Sequence, residues 1–122
     1  MSLKENAQDF VNLMSTGKMQ DAFEKYYADN VVVTEKPNGV VRNGKAEQGK
    51  ALQEWGEMQE EFHGMGIEGY TVNEDSNLVM IESWVDVTMK GGPRIKMEEV
   101  AVQKWSNGQI VEERFYYHQP AQ

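Results

Sequence analysis

The sequence predicts an α+β fold, in which three N-terminal helices pack on one face of a strongly curved, mainly antiparallel sheet. Two patterns support this prediction. Apolar residues recur at helical spacing in three segments of the first half of the chain, and strand-like segments follow one another in the second half. Helices and antiparallel strands that are segregated along the chain are typical of α+β proteins. The 122 residues suffice for a single domain, residues 1–122, with its own core.

The helices are predicted from apolar spacing and from their end signals. The first helix begins at the capping-box pair Ser2 and Glu5 and ends before Gly17, because glycine commonly ends helices. The second covers residues 19–27. The third is predicted over residues 45–62, with an apolar stripe on one face and glutamates on the other.

The strands are predicted from β-branched residues and from alternation between apolar and polar side chains. The first strand covers residues 31–35 and ends at a turn that contains Pro, Asn and Gly. Four further strands form a meander over residues 66–72, 78–89, 94–105 and 110–117. Because alternate residues of a strand share one face, the parity of each residue decides whether its side chain points towards the helices.

Composition and charge restrict the expected partners. The net charge of -8 and the scattered Lys and Arg residues argue against nucleic acid, because a phosphate backbone is bound by clusters of basic side chains. No apolar run approaches the roughly 20 residues of a membrane-spanning helix, and the N-terminus lacks the apolar stretch of a signal peptide. We therefore expect no membrane partner and a cytoplasmic location. The absence of cysteine excludes disulfides and thiolate chemistry.

One outward-facing aromatic residue predicts an oligomer. In strand 78–89 the more apolar alternate set, which includes Val79 and Ile81, is expected to face the helices, so that Trp84 points outward. A large aromatic side chain on an outer surface is typical of an interface. A homodimer is therefore expected.

Three glutamates are predicted on strand faces that are otherwise apolar or aromatic. Glu35 continues the valine face of its strand, and Glu99 and Glu113 share faces with aromatic residues of the last two strands. Burying an acid is costly unless it is hydrogen-bonded or neutral, so these acids could move a proton, hold a cationic ligand or bind a divalent metal. The alternatives are ion pairs in solvent, namely with Lys36 or Arg42 for Glu35 and with Arg114 or Arg94 for Glu113.

Two further side chains could transfer protons. His63 is predicted at the end of the third helix, where it either caps the helix or reaches the pocket as a proton shuttle. Tyr117 is the best-placed phenol on the last strand. The sequence has no paired-histidine spacing for zinc, no GxSxG, no GxGxxG and no Walker loop. We therefore expect neither a metal nor a cofactor.

The walls of a ligand site are expected to be mainly apolar, because small-molecule pockets carry only a few convergent polar groups. Most apolar residues of this chain belong to the core, and a subset lines the pocket. Ser83 adds a hydroxyl to an otherwise aliphatic strand face. The predicted ligand-binding residues are Phe10, Tyr27, Trp55, Met58, Phe62, Ser83, Trp105 and Phe115.

Three local strings occur in an order and at a spacing that resemble a known superfamily. Residues 26–31 read Tyr-Tyr-Ala-Asp-Asn-Val, residues 41–45 read Val-Arg-Asn-Gly-Lys, and the final hairpin includes Trp-Ser-Asn-Gly-Gln-Ile-Val-Glu-Glu-Arg-Phe over residues 105–115. They resemble the SnoaL-like branch of the nuclear transport factor 2-like superfamily, whose members are relatives of polyketide cyclases and ketosteroid isomerases. The resemblance covers nearly the whole chain.

The resemblance implies a cone-shaped half-barrel of cystatin-like topology, with a pocket inside the cone and homodimers formed through the outer sheet face. It places the base of the isomerase-type members at Glu35. The Tyr that those enzymes carry on the first helix falls on Phe10, which has no hydroxyl, and their acid on the fifth strand falls near Ala101, two residues from Glu99 on the same face. Ketosteroid isomerisation itself is therefore not expected, and Tyr117 becomes the replacement phenol.

Three functions remain open, because this scaffold hosts isomerases, cyclases, dehydratases, hydrolases and non-catalytic adaptors. The first is a cofactor-independent acid–base enzyme that acts on a small apolar carbonyl compound, with Glu35 as the base and Glu99, Tyr117 or His63 stabilising the oxygen that gains charge. The second is a module that binds a small hydrophobic or amine ligand without turnover. The third is a dimeric interaction domain whose interior is filled by side chains.

Overall fold

The computed structural model describes residues 1–118, which form three helices and six strands. The helices are α1 (Leu3–Ser15), α2 (Met19–Tyr26) and α3 (Lys45–Glu57). The strands are β1 (Tyr27–Glu35), β2 (Val40–Asn43), β3 (Gln59–Asn73), β4 (Leu78–Met89), β5 (Arg94–Ser106) and β6 (Gln109–Tyr117). In this part of the chain, no helix has the length and apolar character needed to cross a membrane.

The strands form one open sheet in the order β2-β1-β6-β5-β4-β3. All neighbours are antiparallel except β1 and β6, which run parallel. The helices pack on this sheet, so the predicted α+β class with three helices on a mainly antiparallel sheet is confirmed. Because β6 lies between β1 and β5, side chains from these three strands meet on the inner face of the sheet.

The N-terminal helices close the interior over the sheet. The predicted capping box of α1 is present: the Ser2 hydroxyl accepts from the Glu5 N–H at 3.1 Å, and the Glu5 carboxylate accepts from the Ser2 N–H at 3.0 Å. Burial of the apolar faces of α1 and α2 stabilises both helices against the sheet. The core residues are Ala7, Phe10, Ala22, Phe23, Tyr26, Tyr27, Val31, Val33, Val79, Ile81, Trp105 and Ile110.

The predicted end of the third helix is wrong. α3 ends at Glu57, and the following residues form β3, which pairs with β4 from Gln59↔Met89 through Phe62↔Val87. Pairing with the long strand β4 satisfies the backbone of this segment, and tertiary pairing overrides local helical spacing. Phe62 happens to continue the helical spacing of the apolar residues in α3, which is why the sequence predicted a longer helix. Strand β2, which the sequence reading did not predict, follows the turn after β1.

Trp84 lies on the outward-facing alternate set of β4, as its parity predicted, and its ring is partly covered by its own chain. A Cβ added to Gly66 would lie 2.6 Å from the Trp84 indole nitrogen, so the absence of a side chain at Gly66 makes room for the ring. The Lys96 ammonium lies 4.8 Å from the ring centroid and makes a cation–π contact. Trp84 is therefore partly buried by contacts within its own chain, and the homodimer stays a prediction.

Candidate active site

A cavity of about 550 Å³ lies between the helices and the inner face of the sheet. Its volume falls in the range of small-molecule sites. Its lining is mainly apolar, with aromatic residues from both layers, and a few polar groups enter it from the strands and from α3. The apolar lining includes Phe10, Met14, Phe23, Leu52, Trp55, Phe62, Met65, Ile67, Ile81 and Phe115; the polar lining includes Tyr27, Gln48, Ser83, Glu99, Gln103 and Glu113.

Glu113 is the most deeply buried acid of the cavity, with a relative exposure of 2%. It projects from β6 opposite Gln103 of β5. One carboxylate oxygen accepts from the Tyr27 hydroxyl and the other accepts from Gln103 Nε2 at 2.7 Å, while Gln103 Oε1 accepts from Trp105 Nε1 at 3.1 Å. Burial raises the pKa of Glu113 to about 7 and outweighs these two hydrogen bonds, which lower it.

Glu99 is the cavity acid that receives no side-chain hydrogen bond from residues 1–118. It is half-buried on β5, and its register partners are Ser83 on β4 and Tyr117 on β6. Within residues 1–118, no side-chain hydrogen bond contributes to its protonation equilibrium. Burial, followed by the charges of Glu113 and Glu35, raises the pKa of Glu99 to about 7. Because Glu99 and Glu113 interact, they titrate as a pair.

Glu35 forms an ion pair and does not line the cavity. Arg42 Nη2 lies 2.5 Å from Glu35 Oε2, and Arg42 Nε donates to Gln48 Oε1 at 2.6 Å. The side chains of Glu35 and Arg42 are 16% and 20% exposed, so the pair is mostly buried. Of the alternatives left open by the sequence, the geometry favours a pair with Arg42, although this pair is not in bulk solvent.

Tyr117 lies at the end of β6, half-buried and outside the residues that line the cavity. Burial, the hydrogen bond to Glu35 and the charges of Glu35 and Glu99 raise its pKa to about 12. Its phenol therefore stays protonated at neutral pH and interacts electrostatically with both Glu35 and Glu99. Tyr117 is thus the register partner of Glu99 and interacts with Glu35, but it does not line the cavity.

His63 does not reach the cavity, and its predicted place at a helix end is wrong. It lies in β3, at an irregularity of register between Phe62 and Gly64. Its Nε2 lies 2.7 Å from Thr88 Oγ1 and its Nδ1 lies 2.9 Å from Glu61 Oε2. Since Thr88 belongs to the same outward-facing alternate set of β4 as Trp84, the contact with Thr88 places His63 on the outer face of the sheet.

The predicted apolar wall is divided between the cavity and other places. Met58 follows α3 and is 54% exposed, and Trp105 lies in the core beside Phe10, with ring centroids 6.2 Å apart. Neither lines the cavity. The members of the predicted set that do line it are Phe10, Tyr27, Trp55, Phe62, Ser83 and Phe115.

Gln103 and Gln48 shape the site and were not predicted, whereas Arg42 was named only as a possible partner of Glu35. Gln103 shares its strand parity with Glu99, so alternation alone could have placed it on the inner face. Arg42 and Gln48 carried no such signal, because their contact depends on how β2 and α3 pack. In the part of the chain that the structure describes, no three acidic or histidine side chains converge closely enough to hold a metal ion.

The chain belongs to the SnoaL-like domain family, whose model matches residues 1–117. The predicted resemblance is thereby confirmed. No curated protein matches the sequence significantly.

Solved structures share the fold. A Mesorhizobium loti protein described as a candidate SnoaL-like polyketide cyclase is 38% identical, covers 96% of this chain and 100% of its own, and superimposes with a TM-score of 0.88. A Xanthomonas campestris protein with a cystatin-like fold is 18% identical over 98% and 92% of the two chains, with a TM-score of 0.79. A Catenulispora acidiphila protein with a ketosteroid isomerase-like fold, in complex with trimethylamine, is 18% identical over 93% and 85%, with a TM-score of 0.73. At 18% identity, the last two show a common fold alone.

Proposed function

We propose that this protein is a cofactor-independent acid–base catalyst that acts on a small, mainly apolar carbonyl compound bound in the cavity. The observation that carries the proposal is the Glu99 carboxyl, which faces an apolar cavity, receives no hydrogen bond from the described residues and has a pKa raised to about 7 by burial. A general base is most effective when its pKa lies near the working pH. Glu99 thus replaces Glu35 as the proposed base, because Glu35 is paired with Arg42.

The proposed reaction moves one proton and no net electrons. The Glu99 carboxylate takes a proton from the carbon next to the substrate carbonyl. The electron pair of that C–H bond forms a carbon–carbon double bond, and the carbonyl π pair moves to oxygen to give an enolate. In an isomerisation of an unsaturated ketone, the enolate oxygen re-forms the carbonyl, the carbon–carbon double bond moves, and the far carbon takes the proton from the neutral Glu99. In an elimination, the enolate oxygen re-forms the carbonyl, the bond between the β carbon and the leaving oxygen breaks, and that oxygen takes the proton from Glu99.

Donors on the inner face support the oxygen that gains charge. Ser83 lines the cavity and is the register partner of Glu99, so its hydroxyl is the proposed donor. Glu113, held by Tyr27 and Gln103, is the second acid of the pair and contributes repulsion that keeps the Glu99 proton affinity high. A preorganised donor in a low-dielectric site stabilises developing charge more strongly than water does.

The test is proton exchange on a panel of small apolar ketones. In D₂O at neutral pH, the wild type is expected to exchange the protons next to the carbonyl of at least one ketone above the buffer rate, followed by ¹H NMR. Glu99→Gln is expected to reduce this rate about 10²–10⁴-fold. Glu98→Gln is the matched control, because Glu98 is exposed on the opposite face of the same strand. Full exchange by the Glu99→Gln protein contradicts the assignment of the base.

A second candidate function is non-catalytic binding of an apolar amine. The cavity combines acids with aromatic walls that include Phe23, Trp55 and Phe62, and aromatic faces attract cations. An amine ligand would bind with release of protons from the paired acids, and the same ketone panel would show no exchange. The third alternative, an interior filled by side chains, is not supported by a cavity of about 550 Å³.

A further inference from the structure

Arg42 is held inside the protein by two side chains from different elements. Its guanidinium reaches from the short strand β2 to Glu35 of β1 at 2.5 Å and to Gln48 of α3 at 2.6 Å. Gln48 itself is 2% exposed and lines the cavity. An arginine fixed at two points beside a cavity differs from a surface arginine, which contributes little to its neighbours because solvent screens it.

Arg42 is also the positive charge that acts on the acidic cavity. The titratable groups that face this region are Tyr27 and Glu35 from β1, Glu99 from β5, and Glu113 and Tyr117 from β6; α3 contributes the neutral amide of Gln48. Among the described residues, Arg42 is the cation whose charge lowers the pKa of Glu113, Tyr27 and Tyr117. Three carboxyls thus face one guanidinium, which offsets only part of their combined charge.

We propose that Arg42 is a positioning residue that sets the charge balance of the cavity: its pairing with Glu35 holds a positive charge beside that carboxylate and offsets part of the repulsion that Glu35 exerts on Glu113. This inference rests on the proposed function, in which Glu99 transfers a proton. Arg42 does not line the cavity and therefore touches no reacting atom. It acts through Glu35, which it neutralises, and through Gln48, which orients it.

The signs of the charges predict opposite effects for the two members of the pair. Arg42 lowers the pKa of Glu113, whereas Glu35 raises it. Removing Arg42 alone therefore strengthens the net repulsion on Glu113, and removing the charge of Glu35 alone weakens it. Removing both charges together takes away two opposing contributions, so the Glu113 titration should stay close to that of the wild type.

The experiment is a ¹³C NMR titration of the Glu113 side-chain carboxyl in four proteins. With Arg42→Met the midpoint is expected to rise by about 1, since an opposite charge nearby typically shifts a carboxyl by about 1–3. With Glu35→Gln it should fall, and with Arg42→Met combined with Glu35→Gln it should return close to the wild-type midpoint. Arg42→Lys, which keeps the charge, should also stay close to the wild type.

Arg94→Met is the matched control. Arg94 pairs with Asp86 at 3.0 Å through an exposed guanidinium on the outer face of the sheet, so its loss should leave the Glu113 midpoint unchanged. An Arg42→Met protein that unfolds less cooperatively but titrates like the wild type overturns the inference, because that result describes a purely structural arginine. If Arg42→Met does not fold, the Glu35→Gln protein provides the test. A Glu113 midpoint that does not fall in that variant would also overturn the inference.

The titration and the turnover assay can fail separately. If the Glu113 midpoints move as expected but the protein exchanges no ketone proton, the role of Arg42 is supported and the proposed catalysis is contradicted. If turnover is present, its pH profile in Arg42→Met should shift upward by the same amount as the midpoint. If Arg42→Met turns over substrate with an unshifted pH profile, and the Glu113 midpoints are also unshifted, the role of Arg42 is contradicted and the proposed catalysis still stands.

Discussion

The Glu99→Gln protein is expected to be more stable than the wild type at pH 8, by about 2–3 kcal/mol once the partial exposure of Glu99 is taken into account, and almost equally stable at pH 4. The reason is that the folded-state pKa of Glu99, about 7, lies above the ordinary value of 4.5. A raised acid pKa means that the fold favours the neutral acid. Its stabilising contribution is complete below about pH 4.5 and is lost as the pH rises through about 7. Glutamine is neutral throughout, so the variant avoids this loss.

Urea unfolding at both pH values, monitored by tryptophan fluorescence, measures the free energy of unfolding. Glu98→Gln is the control, because the exposed Glu98 should change this free energy by no more than about 0.5 kcal/mol at either pH. A Glu99→Gln protein no more stable than the wild type at pH 8 would show that Glu99 is ionised without penalty, in contact with solvent.

Glu113→Leu is expected to reduce the free energy of unfolding at pH 5 by about 2–5 kcal/mol, because each buried polar group left without a partner costs about 1–3 kcal/mol. Glu113 joins the Tyr27 hydroxyl and the Gln103 amide, both of which are buried. Leucine fills most of the volume but accepts no hydrogen bond. At pH 5, below the raised pKa of Glu113, the cost of burying its charge is largely absent and does not offset the loss.

Glutamine at the same position separates hydrogen bonding from volume. Its amide oxygen can accept from Gln103 and its NH₂ can donate to Tyr27, so Glu113→Gln should cost less than about 1.5 kcal/mol. Glu112→Leu is the control on the exposed neighbour, where little change is expected. Equal stability of the leucine and glutamine variants would contradict a structural role for the Tyr27–Glu113–Gln103 hydrogen bonds.

Strand parity allowed the inner acids to be predicted from sequence. Glu99 and Glu113 were placed on the inner face by a period of two, and both line the cavity. The same rule placed Trp84 outward. The capping box of α1 was also readable, because it depends only on two residues three positions apart.

The features that sequence reading missed depend on pairing between distant segments. The end of α3 and the place of His63 were wrong because β3 gains its hydrogen bonds from β4, a partner that a helical window cannot detect. The Arg42 pair with Glu35 was one of several alternatives, and only the packing of β2 beside β1 selects it. Among the described residues, that selection leaves Glu99 as the unpaired acid and thus as the proposed base.

The most direct test of the central claim, that an acid of near-neutral pKa faces an apolar cavity, is a ¹³C NMR titration of the Glu99 carboxyl in the wild-type protein. The signal is assigned by its absence in Glu99→Gln. A midpoint near 7 is predicted, because burial and the neighbouring acids disfavour the charged form. A midpoint near 4.5, the ordinary value for a glutamate, would contradict the burial of Glu99 and with it the proposed catalytic site.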